Sequence, residues 1–133
     1  MSKPKTCKGL ILIADDDAAF RMATRAYLRQ HGYECEVAPD ATIAIELLRS
    51  LDLDLLISDI NMHGNRGLEL IEELPRIAAG LPVILLTGHP SSQSAARSER
   101  LHVVAYLVKP PEPEQLLSLV ERAVADRHSR RSR

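Results

Sequence analysis

The fold of this chain is decided by a stretch near its middle, Asp54-Leu55-Leu56-Ile57-Ser58-Asp59-Ile60-Asn61-Met62. The apolar run from Leu55 to Ile57 predicts a strand that is buried on both faces, as in a parallel sheet. Asp59 falls where that strand should end. Ligands of open α/β sheets bind just outside the carboxyl ends of the strands. We therefore predict that Asp59 serves chemistry rather than solubility.

A second apolar run ends in acids in the same way. Leu10 to Ala14 leads directly into Asp15-Asp16-Asp17. If the two predicted strands are parallel neighbours, their acids converge on one edge of the sheet. Clustered carboxylates raise one another's pKa unless a cation lies among them. Oxygen ligands of this kind suit Mg²⁺, so the sequence predicts a magnesium site.

Length and composition bound the class of protein. The 133 residues predict one domain, and 45% hydrophobic residues can supply its core. The net charge of -1 does not favour nucleic acid or an anionic membrane surface as a partner. No apolar run approaches a membrane span or a signal-peptide core, so we expect a cytoplasmic protein. Cys7 and Cys35 lack metal-site spacing and are expected to be free thiols.

The hydrophobic pattern predicts five strands alternating with five helices, which is a doubly wound α/β domain. The strands are expected at residues 10–14, 33–38, 53–58, 82–87 and 103–108. Asp17 should cap the first helix and Gly32 should end it, while Asp40 should open the second. Pro75 should kink the third helix or end it early.

The last third of the chain carries two weaker expectations. Residues 90–101 offer little to bury, so the helix required there by the parallel crossover should be short and loosely held. Pro111 and Pro113 fit the start of a last helix. We expect the domain to span residues 9–126, followed by a frayed, solvated basic tail at 127–133. A docking or nucleic-acid role for that tail is the less favoured alternative.

Polar residues follow four of the predicted strands, namely Asp15 and Asp16, Asp59, Thr87 and Lys109. Two or three carboxylates can hold Mg²⁺, while a hydroxyl and an ammonium bind the oxygens of a phosphoryl group. Phosphoryl transfer depends mainly on positioning and charge neutralisation, which these groups supply. The remaining carboxylate can act as the nucleophile, and Asp59 is our choice because it lies alone at its strand end.

Four motifs resemble the receiver domain of two-component response regulators, and the resemblance covers residues 9–126. They are Ile11-Leu12-Ile13-Ala14-Asp15-Asp16-Asp17, Leu56-Ile57-Ser58-Asp59-Ile60-Asn61-Met62, Val83-Ile84-Leu85-Leu86-Thr87-Gly88 and Tyr106-Leu107-Val108-Lys109-Pro110. Each motif is weak alone, but their order and the intervals of 44, 28 and 22 residues between Asp15, Asp59, Thr87 and Lys109 are specific. The resemblance implies a flavodoxin-like five-stranded parallel sheet of order 2-1-3-4-5.

The resemblance also implies roles for the acidic end of the site. Asp59 matches the phosphoacceptor. Asp16 matches the direct Mg²⁺ ligand, and Asp15 matches its acidic neighbour, which usually reaches the metal through water. Asn61 matches the position whose backbone carbonyl binds the metal.

Further roles fall on the later motifs. Thr87 matches the hydroxyl that engages the phosphoryl oxygens, and Lys109 matches their cationic partner, usually followed by a cis proline. Tyr106 matches the aromatic residue that changes rotamer with the threonine. Gly88 matches the small residue that leaves the phosphoryl accessible. We predict that His89, near the path of attacking water, tunes the phosphoryl lifetime.

Some positions depart from the family pattern. His63 replaces a usual proline after the phosphoacceptor, so that loop could be more mobile. Pro111 replaces the aromatic residue that usually follows Lys-Pro, and Leu101-His102 replaces a common Gly-Ala. The last two changes leave the chemistry intact but affect the face that family members use for signalling.

The resemblance implies that a histidine kinase or a histidine phosphotransfer protein donates the phosphoryl group. Specificity for the kinase is expected on the first helix, at Ala18, Ala19, Met22, Arg21, Arg25 and Arg29. Since no DNA-binding or catalytic domain follows residue 126, we expect the output to be a protein contact, a phosphorelay step or a domain absent from this chain. Neither a membrane nor nucleic acid is expected as a partner.

Two other functional interpretations of the sequence stay open. Asp15-x-Asp17 after a strand fits the opening motif of haloacid-dehalogenase-like phosphatases, with Asp15 as nucleophile. That family needs a late acidic pair at a strand end, which this chain does not offer. The other reading is a receiver-like interaction module that is never phosphorylated, although such modules usually lose an acid or the lysine.

Overall fold

The structure is a computed structural model that describes residues 7–62, 65–101 and 103–131. Its strands are β1 (Leu10–Ala14), β2 (Glu34–Ala38), β3 (Leu55–Asp59), β4 (Asn61–Met62), β5 (Asn65–Arg66), β6 (Val83–Thr87) and β7 (Ala105–Val108). Its helices are α1 (Ala18–Gln30), α2 (Ala41–Ser50), α3 (Gly67–Ile77), α4 (Ser92–Arg100) and α5 (Pro113–Arg131).

Five strands form one parallel sheet in the order β2-β1-β3-β6-β7. Strands β4 and β5 form a separate antiparallel pair of two residues each, in the segment that follows Asp59. His63 and Gly64 of that segment lie outside the described residues. Leaving this pair aside, the main sheet has the predicted order 2-1-3-4-5, and the predicted doubly wound fold is confirmed.

Two cores cover the two faces of the sheet, because successive side chains of a strand point to opposite faces. Leu12, Leu56 and Leu85 pack on the face covered by α2 and α3. On the other face, covered by α1 and α5, lie the buried residues Ile11, Ile13, Leu55, Ile57, Ile84, Leu86, Leu116, Val120 and Val124. The central strands β3 and β6 are buried along their whole length, as their apolar sequences predict.

The predicted helix boundaries at Asp17, Gly32 and Asp40 are confirmed. The Asp17 side chain accepts a hydrogen bond from the Phe20 backbone N–H, and Asp40 does the same for Ile43. Gly32 has φ +95°, a left-handed conformation that glycine adopts without strain. These caps are formed between residues that are close together in the sequence, which is why the sequence alone predicts them.

Two expectations about element ends were wrong, namely an early end of α3 at Pro75 and a frayed tail from residue 127. Helix α3 does not end at Pro75 but continues to Ile77, and the Ala78 N–H donates to the Leu74 carbonyl at 2.7 Å. Buried Leu70, Ile71 and Leu74 keep this helix on the core despite the hydrogen bond that proline removes. The boundaries of the five strands of the main sheet differ from the predicted ones by two residues or fewer.

The larger correction concerns the C-terminus. The segment predicted as a frayed tail is helical as far as Arg131. The Arg127 guanidinium donates to the Gly80 carbonyl at 2.8 Å, His128 Nε2 lies 3.0 Å from Asp54 Oδ1, and an Arg131 Nη lies 3.1 Å from Asp52 Oδ1. These contacts join the end of α5 to the end of the sheet opposite the carboxyl ends of the strands. Residues 132–133 lie outside the described part of the chain.

Cys7 and Cys35 are both free cysteines, and Cys35 is buried. Burial raises the pKa of the Cys35 thiol to about 12. Among the described helices, none is both long and apolar enough to cross a membrane.

Candidate functional site

Three acids meet at the carboxyl ends of β1 and β3. These strands are parallel neighbours, with Ala14 opposite Ser58, so Asp15 and Asp59 follow at the same level of the sheet. One carboxylate oxygen from each of Asp15, Asp16 and Asp59 lies within 4.8 Å of the others. The structure therefore brings together the acidic residues that the sequence predicted.

Asp15 is buried at the start of the loop between β1 and α1. Its Oδ1 accepts a hydrogen bond of 2.9 Å from the Asp17 N–H, and its backbone carbonyl accepts one of 2.8 Å from Arg21 Nη1. Burial raises the pKa of the Asp15 carboxyl, although Lys109 and the Asp17 N–H oppose that rise. The charged form of Asp15 is thus unfavourable in the folded protein, and such perturbed acids are common in functional sites.

Lys109 reaches the acids from the end of β7. Its Nζ lies 2.6 Å from Asp15 Oδ2 and 3.3 Å from Asp59 Oδ2. Burial alone would lower the pKa of the Lys109 ammonium, but Asp15 and Asp59 outweigh it and raise the pKa. The peptide bond to Pro110 is cis, as the family resemblance implied.

Asp59 is the last residue of β3 and is 6% exposed. Its Oδ1 accepts a hydrogen bond of 2.9 Å from the Asn61 N–H. The next residue, Ile60, donates its N–H to the Leu86 carbonyl of β6, which anchors the chain just beyond the carboxylate. Asp59 is thus held by backbone N–H groups of the two residues that follow it, one on its carboxylate and one on β6.

Thr87, at the end of β6, is fully buried. Its hydroxyl oxygen accepts a hydrogen bond of 2.9 Å from the His89 N–H, and its carbonyl accepts one of 2.8 Å from the Lys109 N–H. The second bond ties the threonine strand to the lysine strand. A Cβ built on the following residue, Gly88, would meet nothing within 4 Å, so the space beside this strand end is open.

Tyr106 is half-buried in β7, opposite Leu85 of β6, and packs against the core on the α2 and α3 face. It therefore lies in the strand next to Thr87, at a position from which a change in β6 can reach it.

Sequence reasoning missed two residues of α1 that contact the site. The Phe20 ring lies under Lys109 Nζ, with 4.7 Å between Nζ and the ring centroid. Arg21, predicted only as a kinase contact, binds the Asp15 carbonyl. These contacts could have been predicted from one sequence feature. Both residues lie in the first turns of a helix that begins directly after three acids.

The donor set fits a hard divalent cation. Three carboxylates offer oxygen atoms close together, one of them exposed and two buried. Mg²⁺ is commonly held by one or two carboxylates and keeps several of its waters. Soft sulfur ligands are not part of this cluster, so the oxygen donors favour Mg²⁺ or a similar ion.

The chain belongs to the response regulator receiver domain family, whose sequence model matches residues 11–121. It is therefore a receiver domain of the two-component type, and its acidic cluster fits a phosphoacceptor function. The phosphatase alternative is not favoured by this membership.

Two curated relatives are regulators of transcription by name. The chain is 31% identical over 119 residues to the transcriptional regulatory protein FixJ of Bradyrhizobium diazoefficiens, covering 90% of this chain and 58% of FixJ. It is 31% identical over 118 residues to the DNA-binding transcriptional regulator NtrC of Escherichia coli K12, covering 89% of this chain and 25% of NtrC. The chain thus spans only part of the length of these relatives.

Solved structures show the same fold over nearly whole chains. A CheY-like response regulator receiver domain protein from Methanospirillum hungatei superposes with a TM-score of 0.87 and 29% identity, covering 92% of this chain and 98% of that one. A response regulator receiver protein from Pseudomonas putida gives a TM-score of 0.82 and 31% identity, covering 86% and 96%.

Proposed function

We propose that Asp59 accepts a phosphoryl group from a phosphohistidine on a histidine kinase or phosphotransfer protein. The observation that carries this proposal is the convergence of Asp15, Asp16 and Asp59, with the Lys109 ammonium against two of them. A carboxylate oxygen of Asp59 attacks phosphorus, the P–N bond to the histidine breaks, and an aspartyl phosphate forms.

Asp15, Asp16, Asp59 and the backbone carbonyl of Asn61 are the groups proposed to hold Mg²⁺. The bound ion would neutralise charge on the transferring phosphoryl group. Lys109 supplies the protein's own positive charge at the same place, and Gly88 leaves room for the group. Apart from Asp59, which is the proposed nucleophile, these groups position charge rather than react, as phosphoryl transfer requires.

The phosphorylated state is proposed to act as a switch. Thr87 Oγ1 already accepts from the His89 N–H, so its own proton remains available for a phosphoryl oxygen. Movement of Thr87 toward that oxygen would pull on β6 and free space for Tyr106 in β7. The signal is a shift in a two-state equilibrium of these strands and adjoining helices.

Self-phosphorylation and slow hydrolysis of the aspartyl phosphate are the only reactions that we propose for the domain. His89 is proposed to tune the hydrolysis rate from its place two residues after Thr87. A His89→Ala variant that lost its phosphoryl group at the wild-type rate would remove His89 from this role.

The phosphodonor is the partner that we propose, acting in the cytoplasm and contacting the start of α1. Ala18, Ala19 and Met22 are exposed there, and Met22 is 59% exposed despite its apolar side chain. Exchanging these residues for those of another receiver should change the preferred kinase. The DNA binding named for NtrC belongs to a protein four times as long as the matched part, and we do not propose it here.

The test is the intact mass of the protein after incubation with acetyl phosphate, with and without Mg²⁺, beside Asp59→Asn. We expect a Mg²⁺-dependent gain of one phosphoryl group that the variant lacks. A gain that persists in Asp59→Asn but disappears in Asp15→Asn would instead indicate the phosphatase reading. No gain in the folded wild-type protein would indicate an interaction module that is not phosphorylated.

A further inference from the structure

Phe20 contacts the lysine of the site through the face of its ring. The 4.7 Å between Lys109 Nζ and the ring centroid lies within the range of about 6 Å for cation–π attraction. Phe20 comes from α1 and Lys109 follows β7, so this contact joins two residues that are 89 positions apart in the sequence.

The ring is held where it is by local structure. The Phe20 N–H donates to the Asp17 side chain, and the Asp17 N–H donates to Asp15 Oδ1. The side chain of Phe20 is half-buried and packs against the core on the α1 and α5 face. The orientation of the ring is therefore coupled to the same loop that presents Asp15.

The ammonium needs such a contact because lysine is a flexible point charge on a four-carbon stem. Lys109 lies between two carboxylates on one side and the ring on another, and only 18% of its side chain is exposed. The ring replaces water on that side without offering a hydrogen-bond acceptor that would compete with the acids. The attraction between the Phe20 ring and the Lys109 ammonium therefore restricts the positions that the ammonium can occupy.

We propose that Phe20 is a positioning residue for phosphoryl transfer, whose ring holds the Lys109 ammonium beside Asp59. The inference rests on the proposed function, since it assigns Lys109 the role of partner for the transferred group. The ammonium then meets the phosphoryl oxygens without first losing a water shell or changing rotamer.

The contact itself is tested without phosphorylation, by NMR of the Lys109 ε-methylene protons. The ring current of Phe20 should move these protons upfield in the wild-type protein. Phe20→Tyr should keep the upfield shift, and Phe20→Leu should lose it. Equal shifts in the wild type and Phe20→Leu would overturn the proposal, whatever happens to Asp59.

The role is tested by the rate of phosphorylation with acetyl phosphate, which needs no kinase contact with α1. Phe20→Leu should slow the reaction about 2- to 30-fold, the range that cation–π attraction implies, and Phe20→Tyr should restore most of the rate. Tyr27→Leu is the matched control. It removes another half-buried aromatic from α1, one whose ring lies beside His31. Its rate should equal that of the wild type.

A double-mutant cycle separates positioning from general damage to the fold. In a Lys109→Met background, Phe20→Leu should cause no further loss, because the ring then has no ammonium to hold. A full loss in that background, or a Tyr27→Leu variant as slow as Phe20→Leu, would show that Phe20 acts only through packing. A wild type that is never phosphorylated would refute the proposed function, while the NMR result would still report on the contact.

Discussion

Lys109 lies closer to Asp15 than to Asp59, at 2.6 Å from an Asp15 oxygen and 3.3 Å from an Asp59 oxygen. The Lys109 ammonium thus lies nearer to Asp15, the more deeply buried acid, than to Asp59, the proposed nucleophile. A divalent ion that enters the cluster must share Asp15 with this ammonium. Metal binding and the position of Lys109 are therefore coupled by electrostatic repulsion.

Lys109→Met is expected to bind Mg²⁺ several-fold more tightly than the wild type, since a positive charge is removed from among the carboxylates. Its phosphorylation by acetyl phosphate should nevertheless be slower. Isothermal titration calorimetry with Mg²⁺ measures the first effect. Lys8→Met is the control, because Lys8 lies over the Tyr33 ring near the opposite end of the sheet. Unchanged or weaker Mg²⁺ binding by Lys109→Met would contradict the coupling.

Asp15→Asn is expected to raise the melting temperature of the metal-free protein by a few degrees at pH 7. Burial raises the pKa of Asp15, so its charged form destabilises the folded state. The folded protein then binds a proton more tightly than the unfolded chain does, and stability falls as pH rises from 3.8 through the raised pKa. The advantage of the variant should be complete above the raised pKa and should vanish below 3.8. Thermal denaturation in EDTA over that pH range checks both parts, and a constant or inverted difference would refute them.

Asp54→Ala is expected to lower the free energy of unfolding by about 2–4 kcal/mol. Asp54 is fully buried, accepts a hydrogen bond of 2.8 Å from the Leu10 N–H and contacts His128. Its loss would leave the Leu10 N–H without that acceptor and release the end of α5. Urea denaturation measures the change. Asp52→Ala should cost less than about 1 kcal/mol, because its pair with Arg131 is exposed. Equal costs would mean that Asp54 does not anchor the helix.

Gly9→Ala is expected to cost about 1–3 kcal/mol of stability. A Cβ at Gly9 would lie 2.9 Å from Val124 Cγ1 and 3.2 Å from Asp54 Oδ2, so the Val124 side chain or α5 would have to shift. Gly88→Ala is the matched control, since a Cβ there meets nothing within 4 Å and stability should change by less than about 0.5 kcal/mol. The two variants are compared by urea denaturation, and similar values would show that α5 accommodates the methyl group.

Backbone amides of α4 are expected to exchange with deuterium faster than those of α5. Helix α5 buries Leu116, Val120, Ala123 and Val124. Helix α4 buries Ser98 and joins α3 through an ion pair between Arg97 and Glu72. Few buried apolar contacts mean a low free energy of local opening. Equal protection of the two helices would refute this expectation.

The sequence by itself determined the sheet, its helices and the acids at its edge. Apolar runs such as Leu55 to Ile57 become central strands because buried parallel strands are apolar on both faces. Helix N-caps such as Asp17 and Asp40 could be predicted from the sequence, since each binds a backbone N–H only three residues further on. Motif order placed Asp15, Asp59, Thr87 and Lys109 together, because parallel strands bring their carboxyl ends to one edge.

Only the tertiary structure decided which side chains meet across long separations. Asp54 meets His128, 74 residues away, and this contact turns an expected loose tail into the end of α5. Phe20 meets Lys109, 89 residues away in the sequence, and periodicity carries no information on such a pair. Local rules failed at Pro75 for the same reason. The core on which α3 packs outweighs the lost hydrogen bond, and its free energy comes from residues distant in sequence.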